Sequence, residues 1–390
     1  MSQRNKSSSP LRRFTNWLHL WLGLVSGIIV FVVSLTGAIY TFQKEIKDLT
    51  EKWRFVDVRN EPFVVPSALV AEAQKHFPEK KPTGITYAPG DQAAAVGFQT
   101  NVAGKRDFSV VFLNPYNAAF LKKATHSETF DFFEFIEDGH RALWLPPDIG
   151  RPIVGVATLI FVVLLITGLV MWWPKKWKRK HLKSAFRIKL NARPKRLNYD
   201  LHNVLGFYSL LIALVLAITG LVWSFEWVAK SVYWVSNGGQ AKAALHEPPS
   251  DTTVAAARIP GTAAANLDRA FRQVMTKIGQ VNGGLYLSPA GDQITDHPLE
   301  IVVFKDYGNY YNRDEYLFDR YTLQPFRMPN DRFSEASFAD QLSLLNYDLH
   351  TGAAGGLAGK ILVFFVGLIS ASLPVTGFLV WWNKGRKMTP

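Results

Sequence analysis

Four of the nine histidines occupy matched positions along the chain. His19 and His202 each precede a glycine by four residues (Gly23, Gly206) and a Thr-Gly pair by seventeen (Thr36-Gly37, Thr219-Gly220). His140 precedes Thr167-Gly168 by 27 residues, and His350 precedes Thr376-Gly377 by 26. Two facing imidazoles can supply both axial ligands of a low-spin haem, and helical bundles hold such groups between side chains of facing helices. The repeated spacing therefore predicts two bis-histidine sites, His19 with His202 and His140 with His350, and the expected cofactors are two haem b. The chain has no cysteine, which excludes disulfides, thiolate zinc sites and iron–sulfur clusters. His76, His126, His181, His246 and His297 have no counterparts in this scheme and are expected at the surface.

These histidines need elements that hold them. Apolar residues make up 48% of the chain and are segregated into four runs, at about 17–42, 151–173, 200–228 and 357–382. Each run reaches the roughly 20 residues that cross a bilayer as a helix. The first follows Arg12 and Arg13 but is too long for a signal-peptide core, so it reads as a retained span. The net charge of +13 points to nucleic acid only until the basic residues are located. They cluster in segment 1–16, in the tail 383–390, and in the loop 174–199, where eleven Lys and Arg lie between Lys175 and Arg196 with no acidic residue. The positive-inside rule then puts both termini and that loop in the cytoplasm, against membrane lipid, and no nucleic-acid partner is expected. The long segments 43–150 and 229–356 lie outside.

The repeat extends over the whole chain. HLWLGLVSGIIVFVVSLTG from His19 aligns without gaps with HNVLGFYSLLIALVLAITG from His202, and TGLVMWW with TGFLVWW. Each copy is a helix, an outer segment and a second helix. The outer segments read as small α+β domains, with VFLNPYNAAFL and YLFDRYTLQPF as hairpins. From His140 to Trp173 a single straight helix would run roughly 50 Å, beyond the bilayer, so Pro146-Pro147 and the Gly-rich stretch after His350 are expected to break the chain there. Those breaks would put the outer pair near the membrane surface.

Several neighbours have expected roles. Gly23 and Gly206, one turn from their histidines, would give a flat macrocycle room. Arg12, Arg13 and Arg196 inside, and Arg141 and Arg151 outside, would neutralise haem propionates. Thr36, Thr167, Thr219 and Thr376 beside glycines suit close helix packing. The paired tryptophans read as an interfacial belt. Tyr116, Tyr310 and Tyr311 are candidate contacts for an outside ligand.

WLHLWLGL, DGHRALWLP, GRPIVG, TGLVMWWP, YDLHNVLGFY, YDLHTGAAGG and VTGFLVWW together resemble the PepSY-associated transmembrane family over nearly the whole chain, including its iron-regulated ferric-siderophore reductases. The resemblance implies a mainly α membrane protein: a four-transmembrane-helix haem-binding bundle made from a duplicated helix pair, with two periplasmic α+β PepSY-like domains. It also implies a bacterial inner-membrane location and one-electron reduction of a ferric siderophore or other ferric chelate in the periplasm. No G-x-G-x-x-G after a strand and no P-loop is visible, so the donor would be a separate flavin reductase or the quinol pool. Two alternatives remain: a non-redox anchor for PepSY binding or inhibitory modules, and a chelate transporter. The paired histidines weigh against the anchor, and the parallel repeats without a broken midplane helix weigh against the transporter.

Overall fold

A computed structural model describes residues 10–102, 105–125, 130–174, 185–244, 246–291 and 294–385. Arg4 and Lys6, most of the basic loop (175–184), Arg386 and Lys387, and His126 and His181 lie outside the described residues. The chain forms two compact units, one from 1–43, 132–232 and 349–390, the other from 44–131 and 233–348.

The first unit carries four helices long and apolar enough to cross a membrane: span 1 (Pro10–Tyr40), span 2 (Pro147–Trp172), span 3 (Pro194–Ser224) and span 4 (Ala353–Asn383). The protein is a multi-pass membrane protein. Its solvent-facing side chains suit lipid, since Val25, Ile28, Ile166, Leu211 and Phe365 are exposed on all four spans. Spans 1 and 3 each pack against spans 2 and 4, so the bundle is a ring in which 1 faces 3 across the centre. Small residues set the close contacts: a Cβ at Gly27 would meet Pro374 at 3.3 Å, and one at Gly367 would meet Ala38 at 3.0 Å.

Both expected breaks are present. The helix carrying His140 runs Phe132–Ala142, Leu143 and Trp144 follow at φ +54° and +57°, and span 2 opens on Pro147 at its first turn. The helix carrying His350 runs Phe338–Thr351 and ends at Gly352 (φ +79°), before a short 3₁₀ turn and Gly356 (φ +57°). In each copy the reversal brings backbone against backbone: a Cβ at Gly150 would collide with the Ala142 carbonyl, and one at Gly359 with the Gly352 carbonyl. Gly150→Ala and Gly359→Ala are each expected to cost about 1–3 kcal/mol, the usual range for overpacking. Thermal unfolding in detergent measures this, and wild-type midpoints for both variants would refute it.

The second unit is an extramembrane α+β body. Its strands are β1 (Lys81–Tyr87), β2 (Ala94–Val102), β3 (Lys105–Leu113), β4 (Phe120–Thr125), β5 (Gly284–Leu287), β6 (Leu299–Phe304), β7 (Arg313–Phe318) and β8 (Pro325–Phe326). VFLNPYNAAFL and YLFDRYTLQPF fold as the β3–β4 and β7–β8 hairpins. The two outer segments do not stand as separate sheets. They form one antiparallel eight-stranded sheet in the order β4-β3-β2-β1-β5-β6-β7-β8, joined where Ile85, Thr86 and Tyr87 pair with Leu287, Tyr286 and Leu285. Joining β1 to β5 removes an unpaired edge from each half. Alternate residues (Ile85, Tyr87, Leu285, Leu287, Leu299, Ile301) fill one face beneath helices 66–74 and 262–278, which add Leu69, Ala73, Phe271 and Val274.

Candidate functional site

The ring order of the bundle explains how distant histidines meet. His19 on span 1 and His202 on span 3 face each other across the centre with ring centroids 6.4 Å apart. His140 and His350, each just before a break, meet with centroids 5.9 Å apart. Two imidazoles bound about 2 Å from one metal, on opposite sides of it, have ring centres roughly 6 Å apart. Seventeen residues separate His19 from the Thr36-Gly37 pair near His140, so the two sites lie roughly 25 Å apart along the bundle at about 1.5 Å per residue. His202 sits within a π-helical turn, Leu201–Leu205, a local widening common at functional sites.

The second ring nitrogen of each histidine has a partner. Nδ1 of His19 lies 2.9 Å from Thr167 Oγ1, Nδ1 of His202 lies 3.0 Å from Thr376 Oγ1, and Nδ1 of His350 lies 2.9 Å from Thr219 Oγ1. Each of these hydroxyls donates its one proton to its own helix: Thr167 to Val163 O (2.8 Å), Thr376 to Ser372 O (2.9 Å) and Thr219 to Val215 O (2.8 Å). The oxygen can then only accept from the ring, so Nδ1 carries the proton. His140 Nδ1 lies 2.8 Å from Val33 O, a pure acceptor, and must also be protonated. All four rings are thereby held as the Nδ1–H tautomer, which leaves the Nε2 lone pair for a metal.

The glycine after each threonine makes room for the same ring. A Cβ at Gly168 would stand 3.4 Å from His19 Cε1, at Gly377 3.1 Å from His202 Cε1, at Gly220 3.2 Å from His350 Cε1, and at Gly37 2.8 Å from His140 Cε1. Four glycines, each following a threonine, therefore seat four imidazoles.

The family model described as the PepSY-associated TM region matches residues 16–384. The chain belongs to this family. No curated protein matches it.

The donor set of this PepSY-associated protein fits haem better than a free ion. Among the described residues no group of three or more His, Asp or Glu side chains converges as a metal site. Two imidazoles leave zinc short of the three or four protein ligands it takes, whereas a porphyrin supplies four nitrogens of its own and asks the protein for the two axial ones.

The neighbours are less simply disposed than the sequence suggests. Gly23 and Gly206 face leucines, since their Cβ positions would meet Leu164 at 3.8 Å and Leu373 at 3.5 Å. Arg196 pairs with the buried Asp200 at 2.8 Å, and Arg141 pairs with Glu137 at 2.7 Å. Arg12 and Arg13 lie in the first turn of span 1, and Arg151 is exposed in span 2. Tyr116 is buried, with its hydroxyl donating to Gly90 O (2.8 Å), so it is a packing residue and not a ligand contact. Tyr311 packs on Phe333, whereas Tyr310 is half exposed. His246 and His297 are exposed, and His76 stacks on Phe120.

Thr167, Thr219 and Thr376 are the site residues that sequence reasoning assigns only to helix packing. The available signal was the fixed register of Thr-Gly against histidine. Sequence shows that register, but not that the threonine and the histidine it serves lie on different helices.

Proposed function

We propose that the protein is a di-haem b oxidoreductase of the bacterial inner membrane that passes electrons from the cytoplasmic side to a ferric chelate in the periplasm. The observation that carries this reading is the two facing histidine pairs, each ring with its Nδ1 hydrogen-bonded, near opposite ends of one bundle. An anchor would have no need to hold four imidazoles in one tautomer.

In this reading His19 and His202 hold the cytoplasmic-side haem, and His140 and His350 hold the outer one. Haem would supply reversible one-electron chemistry that no side chain here provides. The protein's part is to fix the ligand rings, keep water from them with apolar helices, and offer cations to the propionates: Arg12 and Arg13 inside and Arg151 outside, while Arg196 and Arg141 answer Asp200 and Glu137. The basic ends of spans 1 and 4 and the basic central loop support cytoplasmic termini. The ferric siderophore or related chelate, and the flavin reductase or quinol donor, come from the family resemblance.

The expected result for protein purified from haem-sufficient cells is a red protein with a reduced-minus-oxidised b-type spectrum and about two haems per chain by pyridine haemochrome, one for each histidine pair. A colourless protein from such cells would overturn the proposal.

A further inference from the structure

We propose that Glu137 sets the redox poise of the outer haem: its carboxylate, fixed beside His140 by Tyr40 and Arg141, favours the ferric state and makes that haem the stronger electron donor. This rests on the haem reading above. Glu137 lies three residues before His140 on the helix Phe132–Ala142, so the two share a face about one turn apart. Both carboxylate oxygens are engaged: Oε2 accepts from the Tyr40 hydroxyl at 2.9 Å, and Oε1 accepts from Arg141 Nη1 at 2.7 Å. Tyr40 stands three residues beyond Gly37, whose Cβ position meets the His140 ring, so the end of span 1 both seats that ring and holds the carboxylate. The His140 ring feels both charges, and the negative one is the stronger. Exposure accounts for the order, because water screens the exposed Arg141 more than the half-buried Glu137. In the second copy the equivalent positions carry Tyr347, Thr351 and, in place of Tyr40, Trp223, so the duplication supplies no second clamp of this kind.

The chemistry follows from the sign of the field. One-electron reduction of a bis-histidine haem lowers the positive charge at the iron by one unit. A fixed negative charge nearby therefore stabilises the ferric form over the ferrous one and lowers the reduction potential, and a fixed positive charge does the reverse. The electron that leaves the ferrous haem reduces the iron of the chelate from ferric to ferrous, and a lower haem potential makes that transfer more favourable. Arg141 moderates the field of the carboxylate without cancelling it. Replacing Glu137 or Arg141 by glutamine keeps a side chain of similar reach that still donates and accepts hydrogen bonds, and removes the charge. The two replacements must then move the same potential in opposite directions, which damage to the packing around His140 would not do.

The test uses Glu137→Gln and Arg141→Gln, each purified as full-length protein in detergent, with the midpoint potentials of the two haems measured by spectroelectrochemical titration. Glu137→Gln is expected to raise one of the two potentials, and Arg141→Gln to lower the same one by a smaller step. The other potential should stay at its wild-type value, and the haem that moves should be the one missing from His350→Ala. For Glu137→Gln the expected change is about 3- to 10-fold in the ferric-to-ferrous ratio at a fixed ambient potential, the scale of one partly screened charge about a helical turn from a ligand. If Glu137→Gln sheds haem, Arg141→Gln decides the matter, since it leaves the bond between Tyr40 and Glu137 in place. Two haems whose potentials ignore both replacements, move in the same direction in both, or move together at both sites would overturn this proposal alone. A wild-type protein without haem would overturn the underlying reading and this one with it.

Discussion

His202→Ala is expected to halve the haem content of the purified protein, from about two per chain to about one, and to leave the remaining haem with its wild-type spectrum and potential. Among the described residues the histidine that His202 faces is His19, and the place its ring would vacate is lined by Thr376 and Gly377 of span 4. The other pair lies roughly 25 Å away along the bundle and uses different contacts: Val33 and Gly37 of span 1, Thr219 and Gly220 of span 3. Spans 1 and 3 each serve both pairs, span 3 with His202 at one end and Thr219 and Gly220 at the other, and alanine is among the best helix formers, so His202→Ala should not disturb Thr219. His19→Ala should remove the same haem as His202→Ala, and the double variant should lose no more than either single one. Haem quantification and low-temperature electron paramagnetic resonance, which resolves two bis-histidine centres, check this. Equal loss of both haems from either single variant would mean that the histidines are not paired as the ring distances indicate.

How much of this was legible in the sequence depends on the range of the interaction. The spans were legible because a bilayer imposes length and apolarity on each helix separately, and the breaks because proline and glycine act on their own backbone. The histidine pairs were legible because a duplication writes the same spacing twice, and helices that run outward carry equivalent residues to the same end. The threonines were not. A hydroxyl in a membrane helix satisfies itself on its own i−4 carbonyl, so Thr167 reads as a packing residue until span 1 brings His19 against it. The same limit hid the single sheet, since nothing local in Ile85-Thr86-Tyr87 or Leu285-Tyr286-Leu287 names the other as its partner. It also hid the pairing of Arg196 with Asp200, although these lie only four residues apart, because the burial of Asp200 comes from the bundle around it. Charge alone made Arg196 a counter-ion for a propionate; in the structure it already answers a buried carboxylate.

His350→Ala is expected to abolish ferric-chelate reduction on the outer face while the haem at His19 and His202 stays bound and reducible from the inner side. The two sites lie at opposite ends of the bundle. Gly37 and Gly220, which touch the His140 and His350 rings, stand three and four residues from the ends of spans 1 and 3, or roughly 5 Å of helix. His19 and His202 lie near the opposite ends of those spans, nine and eight residues from Pro10 and Pro194. A polar ferric chelate cannot enter hydrocarbon, so the pair at the outer end is the one from which an electron can leave without the iron complex crossing lipid. The chain is also built to hold that pair at the rim: the helix ending at Thr351 stops at Gly352, span 4 restarts at Gly356, and the exposed Trp223 places its ring 5.2 Å from that of His350. In proteoliposomes with the donor enclosed and the chelate outside, His350→Ala should therefore show normal reduction of the remaining haem and only background production of ferrous iron outside. Thr36→Val, which touches the same end without altering a ligand or its acceptor, should keep the wild-type rate. Undiminished chelate reduction by His350→Ala, with the inner haem confirmed, would show that electrons leave by another route and that the outer pair is not the exit.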